Sequence, residues 1–359
     1  MATATRQATM TRTVVHNAFG LVEMDEIEKP RVGDDGVLVR VHAASLNRVD
    51  WYMMIGRPYI GRVQMGLRKP KSHTLSTDFA GTVEAVGKDV TRFRPGDDVF
   101  GRSGEFAEYV RLAEDGALTL KPANVTFEEA ACVGVAGLTA VQALRDHGNV
   151  RSGDRVLVNG ASGGVGTFAV QIAKALGADV TAVCSTANVD LQRSIGADHV
   201  VDYTREDFTR TARRYDLMID VAGSRSWRAC KRVLEPQAPL VLIGGPKTNH
   251  LLGPLAHVIK VKIGAAVARR KAVFFIAKLT QADLVVLAEL LEAGKVTPVI
   301  DRRYELSEIA DAFRYLGDGP RARQDRRHVL AAFAAPIAPH VGFRCGRGRG
   351  RRRSRSAWR

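Results

Sequence analysis

The sequence lacks any long uninterrupted apolar segment. No run of roughly 18 apolar residues occurs, so no membrane-spanning helix is predicted, and the first residues lack the apolar core of a signal peptide. Cysteine is also scarce. The four cysteines have neither the spacing of a zinc site nor that of a disulfide framework: Cys132, Cys184, Cys230 and Cys345. The simplest interpretation is a protein of the reducing cytoplasm with no membrane partner.

Acidic residues are nearly absent from the end of the chain, and this absence explains most of the net charge of +15. Residues 320–359 contain 12 Arg and a single Asp, so residues 1–319 carry only +4. Because the body of the chain is nearly neutral, we expect no nucleic-acid partner. An apolar content of 45% in 359 residues is enough for two globular domains, each with its own core.

The chain does contain a glycine-rich turn between an apolar strand and a helical pattern. Residues 155–158 form the predicted strand, and the helical pattern of 167–176 follows the turn. This order is that of a dinucleotide-binding fingerprint. In it, Gly163 lets the backbone approach the pyrophosphate and Gly166 lets the helix pack closely on the strand. The predicted phosphate-binding residues are Ala161, which replaces the first glycine of the usual motif, Ser162, Gly163, Gly164, Val165 and Gly166.

The two halves of the chain differ in the period of their apolar residues. The first half consists of short alternating segments separated by turns, which predict a small β-barrel. From Thr126, whose spacing to Glu129 is that of a capping box, apolar strands alternate with helical segments and predict a doubly wound parallel sheet. We therefore expect an α/β protein with a flexible leader (1–10), a barrel domain (11–125), a Rossmann domain (126–296), a return to the first domain (297–319) and a disordered basic tail (320–359).

Several motifs, in this order, resemble those of the medium-chain dehydrogenase/reductase superfamily, and more closely those of its zinc-free quinone oxidoreductase branch. They comprise residues 44–50, 78–87, 94–99, 138–140 and 161–166. The resemblance extends from about residue 11 to residue 319. It implies a GroES-like catalytic domain, a Rossmann nucleotide-binding domain and a homodimer.

Three residues argue against zinc. The zinc-dependent relatives carry a cysteine at the position of Asn47 and a His-Glu pair at the positions of Thr77 and Asp78. Asn and Thr are not the ligands that zinc prefers, so we predict no zinc. Without a Lewis acid, hydride transfer favours an acceptor that delocalises charge, which is a quinone or the β-carbon of an enone.

The resemblance also implies which residues line the substrate pocket. Asn47 and Tyr52 match positions beside the nicotinamide and the substrate, where an amide and a phenol can donate hydrogen bonds to a developing oxyanion. Tyr59, on the next loop, is a third candidate. The alternatives are that Asn47 only braces a turn and that Tyr52 belongs to the core.

The second strand of the Rossmann pattern ends without the acidic residue that binds the ribose 2′-hydroxyl of NAD. Ser185 and Thr186 stand there and can donate to a 2′-phosphate, and the resemblance adds Tyr203. We therefore predict NADPH as cofactor, with NADH as a weaker alternative. The remaining predicted cofactor-binding residues are Thr139, Gly223 and Gly244. Cys184 is expected to be a small core residue, since no base for a nucleophile is evident.

Together these features predict a zinc-independent, NADPH-dependent oxidoreductase that acts on small-molecule quinones or α,β-unsaturated carbonyls. Two alternatives stay open. One is an NAD(P)-dependent alcohol dehydrogenase. The other is a protein that binds NADPH for regulation, or for interaction with RNA, without turnover.

The tail departs from the ending that the resemblance implies, which is a helix, a glycine turn and a final β-branched strand. The GC-rich codons of that strand, read after one inserted cytosine, give the residues that follow Gly319 one by one. We hypothesise that residues 320–359 are a frameshifted translation, in which case the final strand is lost. The alternative is a basic arm that binds nucleic acid or acidic surfaces.

Overall fold

The computed structural model describes residues 10–246, 251–318 and 330–334, of which 318 and 330–334 are described by their backbone alone. The first domain begins with strands and two short helices: β1 (Met10–Val15), β2 (Glu23–Glu28), β3 (Gly36–Leu46), α1 (Arg48–Ile55), α2 (Arg62–Met65), β4 (Thr77–Val86), β5 (Asp98–Ser103), β6 (Tyr109–Ala113) and β7 (Leu118–Leu120). Met10 already pairs with Glu28, so the predicted leader is one residue too long, and residues 1–9 lie outside the described part.

The long strand β3 organises the first domain. It pairs antiparallel with β4 and with β6, and its β-branched residues are almost all buried. Valines such as Val37 and Val39 fit the pleated, buried surface of a central strand. The sheet continues from β4 to β5 and β7. The predicted barrel-like first half is confirmed.

The second domain alternates helices and strands: α3 (Phe127–Ala131), α4 (Gly134–Gln142), β8 (Arg155–Asn159), α5 (Gly164–Ala175), β9 (Asp179–Cys184), α6 (Val189–Ser194), β10 (His199–Asp202), β11 (Leu217–Asp220), α7 (Trp227–Lys231), β12 (Leu240–Leu242), α8 (Leu255–Val267), β13 (Ala272–Phe274) and α9 (Gln281–Glu292). A short π-helical turn, Ala143–His147, extends α4. The sequence predicted neither α8 nor β13. Among the described residues no helix is long and apolar enough to cross a membrane.

Six strands of the second domain form one parallel sheet in the order β10-β9-β8-β11-β12-β13. Their residues are apolar in continuous runs because helices cover both faces, as for Val156, Leu157 and Val158 of β8, which are fully buried. The strand order reverses between β8 and β11. This reversal opens a crevice at the carboxyl ends of the strands. The predicted doubly wound sheet is confirmed.

After α9 the chain returns to the first domain. Strand β14 (Ile300–Glu305) precedes helix α10 (Ile309–Asp318), whose Phe313 is fully buried in the core of the barrel. Residues 330–334 form strand β15, which pairs parallel with β14 and antiparallel with β3. The expectation of a structureless tail is therefore wrong for 330–334, because an extended backbone there completes the hydrogen-bond ladder between two strands. The rest of 320–359 lies outside the described residues.

Candidate active site and nucleotide crevice

The glycine turn lies between β8 and α5, at the reversal of strand order. Gly160 has φ of 87°, a left-handed conformation that favours glycine. A Cβ on Gly166 would lie 2.3 Å from the carbonyl oxygen of Gly160, so only glycine lets α5 approach the strand this closely. Ala161 is fully buried and donates its N–H to the carbonyl oxygen of Val183 on the neighbouring strand.

The amino end of α5 fits a phosphate group. No side chain caps this end, since Gly163 is the N-cap residue, so the first N–H groups of the helix have no side-chain acceptor. A Cβ on Gly163 would meet only one neighbour, at 3.5 Å, so the space beside it is open. Open space, unpaired donors and the positive end of a 12-residue helix together suit the pyrophosphate of a dinucleotide.

A buried carboxylate fixes the loop that follows β11, on the other side of the glycine turn. Asp220, the last residue of β11, accepts hydrogen bonds from the Asn159 side chain and from the backbone N–H of Gly223, each at 2.8 Å. Burial raises the pKa of Asp220 to about 6. A Cβ on Gly223 would lie 2.4 Å from Cα of Gly245, and one on Gly244 would lie 2.1 Å from a carbonyl oxygen. Glycines therefore let the loops after β11 and β12 close on each other.

The region where the second ribose would bind contains an acidic residue that the sequence analysis did not consider. Thr186 donates its hydroxyl hydrogen to Asp202 at the end of β10, and Thr204 donates to the same carboxylate. Burial alone would raise the pKa of Asp202, but these hydrogen bonds and the charge of Arg205 outweigh it and lower the pKa. Thr186 is therefore not the unengaged donor that was expected.

Other polar groups surround the same position. The Ser185 hydroxyl oxygen accepts a hydrogen bond from the Asn188 side chain, which leaves the Ser185 hydrogen for another acceptor. Tyr203 is 53% exposed, and Arg205 extends into solvent with its guanidinium 3.4 Å from Asp202. The pocket thus contains one carboxylate and one arginine, together with hydroxyl donors.

A buried ionic network lies at the predicted substrate end. Arg102 donates to Asp78 at 2.7 Å and to Asp50 at 2.8 Å, and both carboxylates are fully buried. The Asn47 side chain donates to the other oxygen of Asp78 at 2.8 Å. That oxygen also accepts the backbone N–H of Val135, at the start of α4, at 2.8 Å. One carboxylate therefore joins the barrel to the nucleotide-binding domain.

Electrostatics favour a fixed positive charge at Arg102. Burial alone would lower the pKa of Arg102, but Asp78 and Asp50 outweigh this and raise it. Burial raises the pKa of Asp50 to about 6, although the charge of Arg102 opposes the rise. The close approach depends on Gly134, because a Cβ there would lie 2.4 Å from Cγ of Asp78.

The three predicted catalytic residues do not form one hydrogen-bonded group among the described residues. Asn47 is buried and precedes α1, where its backbone N–H donates to Asp50 at 2.7 Å, so it braces a turn as well as binding Asp78. Tyr52 is half-buried in α1, edge-on to Trp51, and burial raises its pKa against the opposing charge of Arg48. Tyr59 is 41% exposed.

The remaining predicted residues lie as follows. Thr139, on α4, donates to the carbonyl oxygen of Val135 at 2.6 Å, next to the Asp78 contact. Cys184 is buried, and burial raises the pKa of its thiol to about 11, as expected for a core cysteine. At the positions where the zinc-dependent relatives hold their metal, this chain has the amide of Asn47, the hydroxyl of Thr77 and the carboxylate of Asp78, which already binds the guanidinium of Arg102. This set does not fit zinc.

Two family models match the chain. The alcohol dehydrogenase GroES-like domain matches residues 33–123, and a family described as zinc-binding dehydrogenase matches residues 195–322. The chain is 32% identical to the chloroplastic quinone-oxidoreductase QR1 of Triphysaria versicolor, over 82% of this chain and 90% of that protein. It is 40% identical to the trans-enoyl reductase pgmF of Aspergillus terreus, over 59% of this chain and 63% of that protein.

The fold is also similar to that of a solved structure. The quinone oxidoreductase from Coxiella burnetii aligns with a TM-score of 0.76 and 26% sequence identity. The alignment covers 91% of this chain and all of that one.

Proposed function

Because the chain belongs to the medium-chain dehydrogenase/reductase superfamily, in its quinone oxidoreductase-like branch, we propose that it transfers a hydride from NADPH to a quinone or an α,β-unsaturated carbonyl without using zinc. Membership of this branch makes the chain an oxidoreductase with a nicotinamide cofactor. The preference for NADPH and the independence of zinc are the finer parts of the proposal.

The contact through Asp78 supports this proposal most strongly. Its Oδ2 atom accepts hydrogen bonds from the Asn47 side chain and from the N–H of Val135. The first belongs to the barrel and the second begins a helix of the nucleotide-binding domain. The predicted acceptor site is therefore held against the nucleotide-binding domain, and this contact supports the proximity that hydride transfer requires.

The nucleotide-binding residues act by position. The N–H groups at the start of α5 bind the pyrophosphate, and Asn159 and Asp220 keep the two facing loops in place. The bound dihydronicotinamide supplies the hydride. Ser185 and Arg205 favour a 2′-phosphate, whereas the charge of Asp202 opposes one, so we propose a moderate preference for NADPH.

At the acceptor, the chain stabilises negative charge. When a hydride reaches the β-carbon of an enone, the electron pair of the double bond moves towards the carbonyl oxygen, which then takes a proton from solvent. Asn47 has a second amide hydrogen beyond the one that binds Asp78, and Tyr52 stays protonated because its pKa is raised. Both are donors for that oxygen. Arg102 acts as a positioning residue through Asp78.

The experiment is a titration of the purified chain with NADPH and NADH, followed by addition of a simple quinone or enone. We expect tighter binding of NADPH and an oxidation that depends on the acceptor, that persists with EDTA and that zinc does not accelerate. Asn47→Ala should lower kcat. The matched control Asn124→Ala should not, because Asn124 lies in the loop between β7 and α3, where its amide binds the carbonyl oxygen of Leu291 away from this network. Binding of NADPH without reduction of any acceptor would refute the proposal and favour the regulatory alternative.

The same assay addresses the other enzyme alternative. Saturable oxidation of simple alcohols that requires zinc would favour an alcohol dehydrogenase. We also propose a homodimer in the cytoplasm. Sedimentation of the purified chain and fractionation of cells that express it would test these two points.

A further inference from the structure

Arg62, the first residue of α2, has a guanidinium that neighbouring groups hold in place. Its Nε donates to the carbonyl oxygen of Gly56 at 2.9 Å. Its Cζ lies 4.3 Å from the ring centre of Phe19 and 4.8 Å from that of Tyr59. A guanidinium that stacks on aromatic rings and has its Nε bound loses most of its rotational freedom. The charge of Arg62 therefore has a fixed position.

The position of the Phe19 ring depends on a glycine. Gly56 ends α1 in a left-handed conformation with φ of 61°, and a Cβ there would lie 2.5 Å from Cδ1 of Phe19. A second arginine belongs to the same group, because Cζ of Arg57 lies 5.7 Å from the ring centre of Tyr59. We call Phe19, Arg57, Tyr59 and Arg62 the arginine cluster.

No carboxylate of the described residues neutralises the charge of Arg62. Residues 51–77 contain five Lys or Arg and no Asp or Glu, and residues 236–282 contain seven and again no acid. Within the described ranges the two terminal amino groups of Arg62 have no hydrogen-bond acceptor. A guanidinium with a fixed position and two unused terminal groups suits the forked binding of a carboxylate or a phosphate.

The arginine cluster lies at one end of the nucleotide crevice. A Cβ on Gly253 would lie 2.9 Å from Cβ of Pro58, and one on Gly245 would lie 2.9 Å from Cβ of Pro254. The loop that contains the cluster therefore meets the segment that follows β12. A dinucleotide crosses the point where the strand order reverses, so the adenosine would lie over β9 and β10 and the nicotinamide over β11 and β12. The cluster is thus at the nicotinamide end.

The phosphates of the cofactor belong to other parts of the crevice. The pyrophosphate fits the amino end of α5, and the 2′-position lies at the ends of β9 and β10. Strand β12 is three strands away from β9 in the sheet, which is about 14 Å at the usual spacing of strands. The charge of Arg62 therefore faces the acceptor's end of the crevice and not the adenosine.

We propose that Arg62 binds an anionic group of the acceptor, so that the substrates are enones or quinones that carry a carboxylate or a phosphate. The inference rests on the proposed function, because it names the class of acceptor for the same site. Tyr52, the proposed donor to the acceptor oxygen, lies four residues before Gly56, which is about 6 Å along the axis of α1. An anionic group separated from the enone by a benzene ring has the length to span this distance.

The test uses three acceptors with the same enone: para-carboxybenzylideneacetone, its methyl ester and the analogue with a para-phosphate. The ratio of kcat/KM for each anion to that for the ester is measured with NADPH. We expect the ratio for one anion to be at least about tenfold higher in the unaltered chain than in Arg62→Met, because the forked ion pair is lost. The anion with the larger effect identifies the group. Arg62→Lys should fall between the two, because an ammonium keeps the charge without the fork.

The matched control is Arg68→Met, which removes the same charge from an exposed residue of the same acid-free stretch. It should keep the ratio of the unaltered chain. An equal fall of the ratio with Arg68→Met would assign the preference to the general positive charge of the stretch and overturn the proposal. So would a ratio that is the same in the unaltered chain and in Arg62→Met while all three acceptors are reduced, a result that would leave the proposed function intact.

A binding measurement separates this inference from the proposed reaction. The saturated product of the carboxylate probe has no double bond to reduce, and calorimetry measures its binding to the chain in the presence of NADP⁺. Arg62→Met should weaken this binding by about tenfold. Binding that depends on Arg62 without reduction of any acceptor would support the anion site and refute the proposed reaction. Equal binding by the two proteins would overturn the anion site.

Discussion

Arg102 offers the sharpest test of the ionic network. It is 9% exposed and is the cation between two fully buried carboxylates, Asp50 and Asp78. The substitution Arg102→Met keeps most of the apolar stem and removes the charge. The variant leaves two buried carboxyl groups with no cation between them. This lowers the free energy of unfolding more than the loss of a solvent-exposed ion pair does.

The magnitude follows from this burial. Breaking a buried ion pair by removing one partner costs about 3–5 kcal/mol. For a chain of this size that loss lowers the melting temperature by about 4–7 °C. The exposed pair of Arg111 and Asp35 gives the contrast, because Arg111→Met should cost less than about 1 kcal/mol.

The loss should depend on pH in one direction. Burial already raises the pKa of Asp50 to about 6 in the presence of Arg102, whose charge lowers it. Without Arg102 the pKa rises further, so the folded variant holds a proton that the unfolded chain releases. The stability of Arg102→Met is then preserved at low pH and lost as the pH rises through 6 and above. The difference from the unaltered protein should be larger at pH 8 than at pH 5.5.

The assay is thermal unfolding at these two pH values, with kcat measured in parallel. Arg102→Lys retains the charge with one contact instead of two and should fall between the other two proteins. If Arg102→Met melts within a degree of the unaltered protein, or loses the same stability at both pH values, the carboxylates are not held by Arg102 and the reasoning is wrong.

Three further predictions concern the crevice. Ala187 follows Thr186 in the turn after β9. Ala187→Arg should raise the affinity for NADPH relative to NADH by about tenfold, measured by nucleotide fluorescence, because a guanidinium there binds the 2′-phosphate. An unchanged ratio would place the 2′-phosphate elsewhere. Gly163→Ala should weaken NADPH binding by about tenfold at an unchanged melting temperature. Gly166→Ala should lower the melting temperature as well, because its Cβ would lie 2.3 Å from a carbonyl oxygen. Equal effects of the two variants would contradict the assignment of Gly163 to phosphate binding and of Gly166 to packing. Tyr52→Phe should lower kcat about tenfold or more at constant KM if the phenol donates to the acceptor oxygen, and an unchanged kcat would make Tyr52 a packing residue.

The sequence could predict features that are local along the chain. The glycine turn could be predicted because strand, turn and helix follow one another along the chain, and the role of each glycine depends on residues only a few positions away. The network of Arg102, Asp50 and Asp78 was not predicted, because its hydrogen bonds join a strand to another strand and to a helix, between residues 24 and 52 positions apart. A signal did exist: Arg102 is a charged residue within an otherwise buried strand.

Two other features, Asp202 and the strand at 330–334, could be found only from the three-dimensional fold. Asp202 ends the strand next to the one that ends at Cys184, and parallel pairing brings the two ends together. Inspection of the third strand's end, as well as the second, would have found it. The strand at 330–334 was missed because its residues do not alternate, and its pairing with β3 and β14 is set by the backbone.

The salt bridge between Arg102 and Asp78 also limits how such a protein can evolve. If Asn47 were changed to cysteine, or Thr77 to histidine, the new ligand would lie beside a guanidinium that already binds the neighbouring carboxylate. A metal ion would have to compete with that buried cation for the same oxygens. A metal site built at these positions would therefore require Arg102 to be replaced first, at the stability cost estimated above. Such a site is in this sense difficult to reach one substitution at a time.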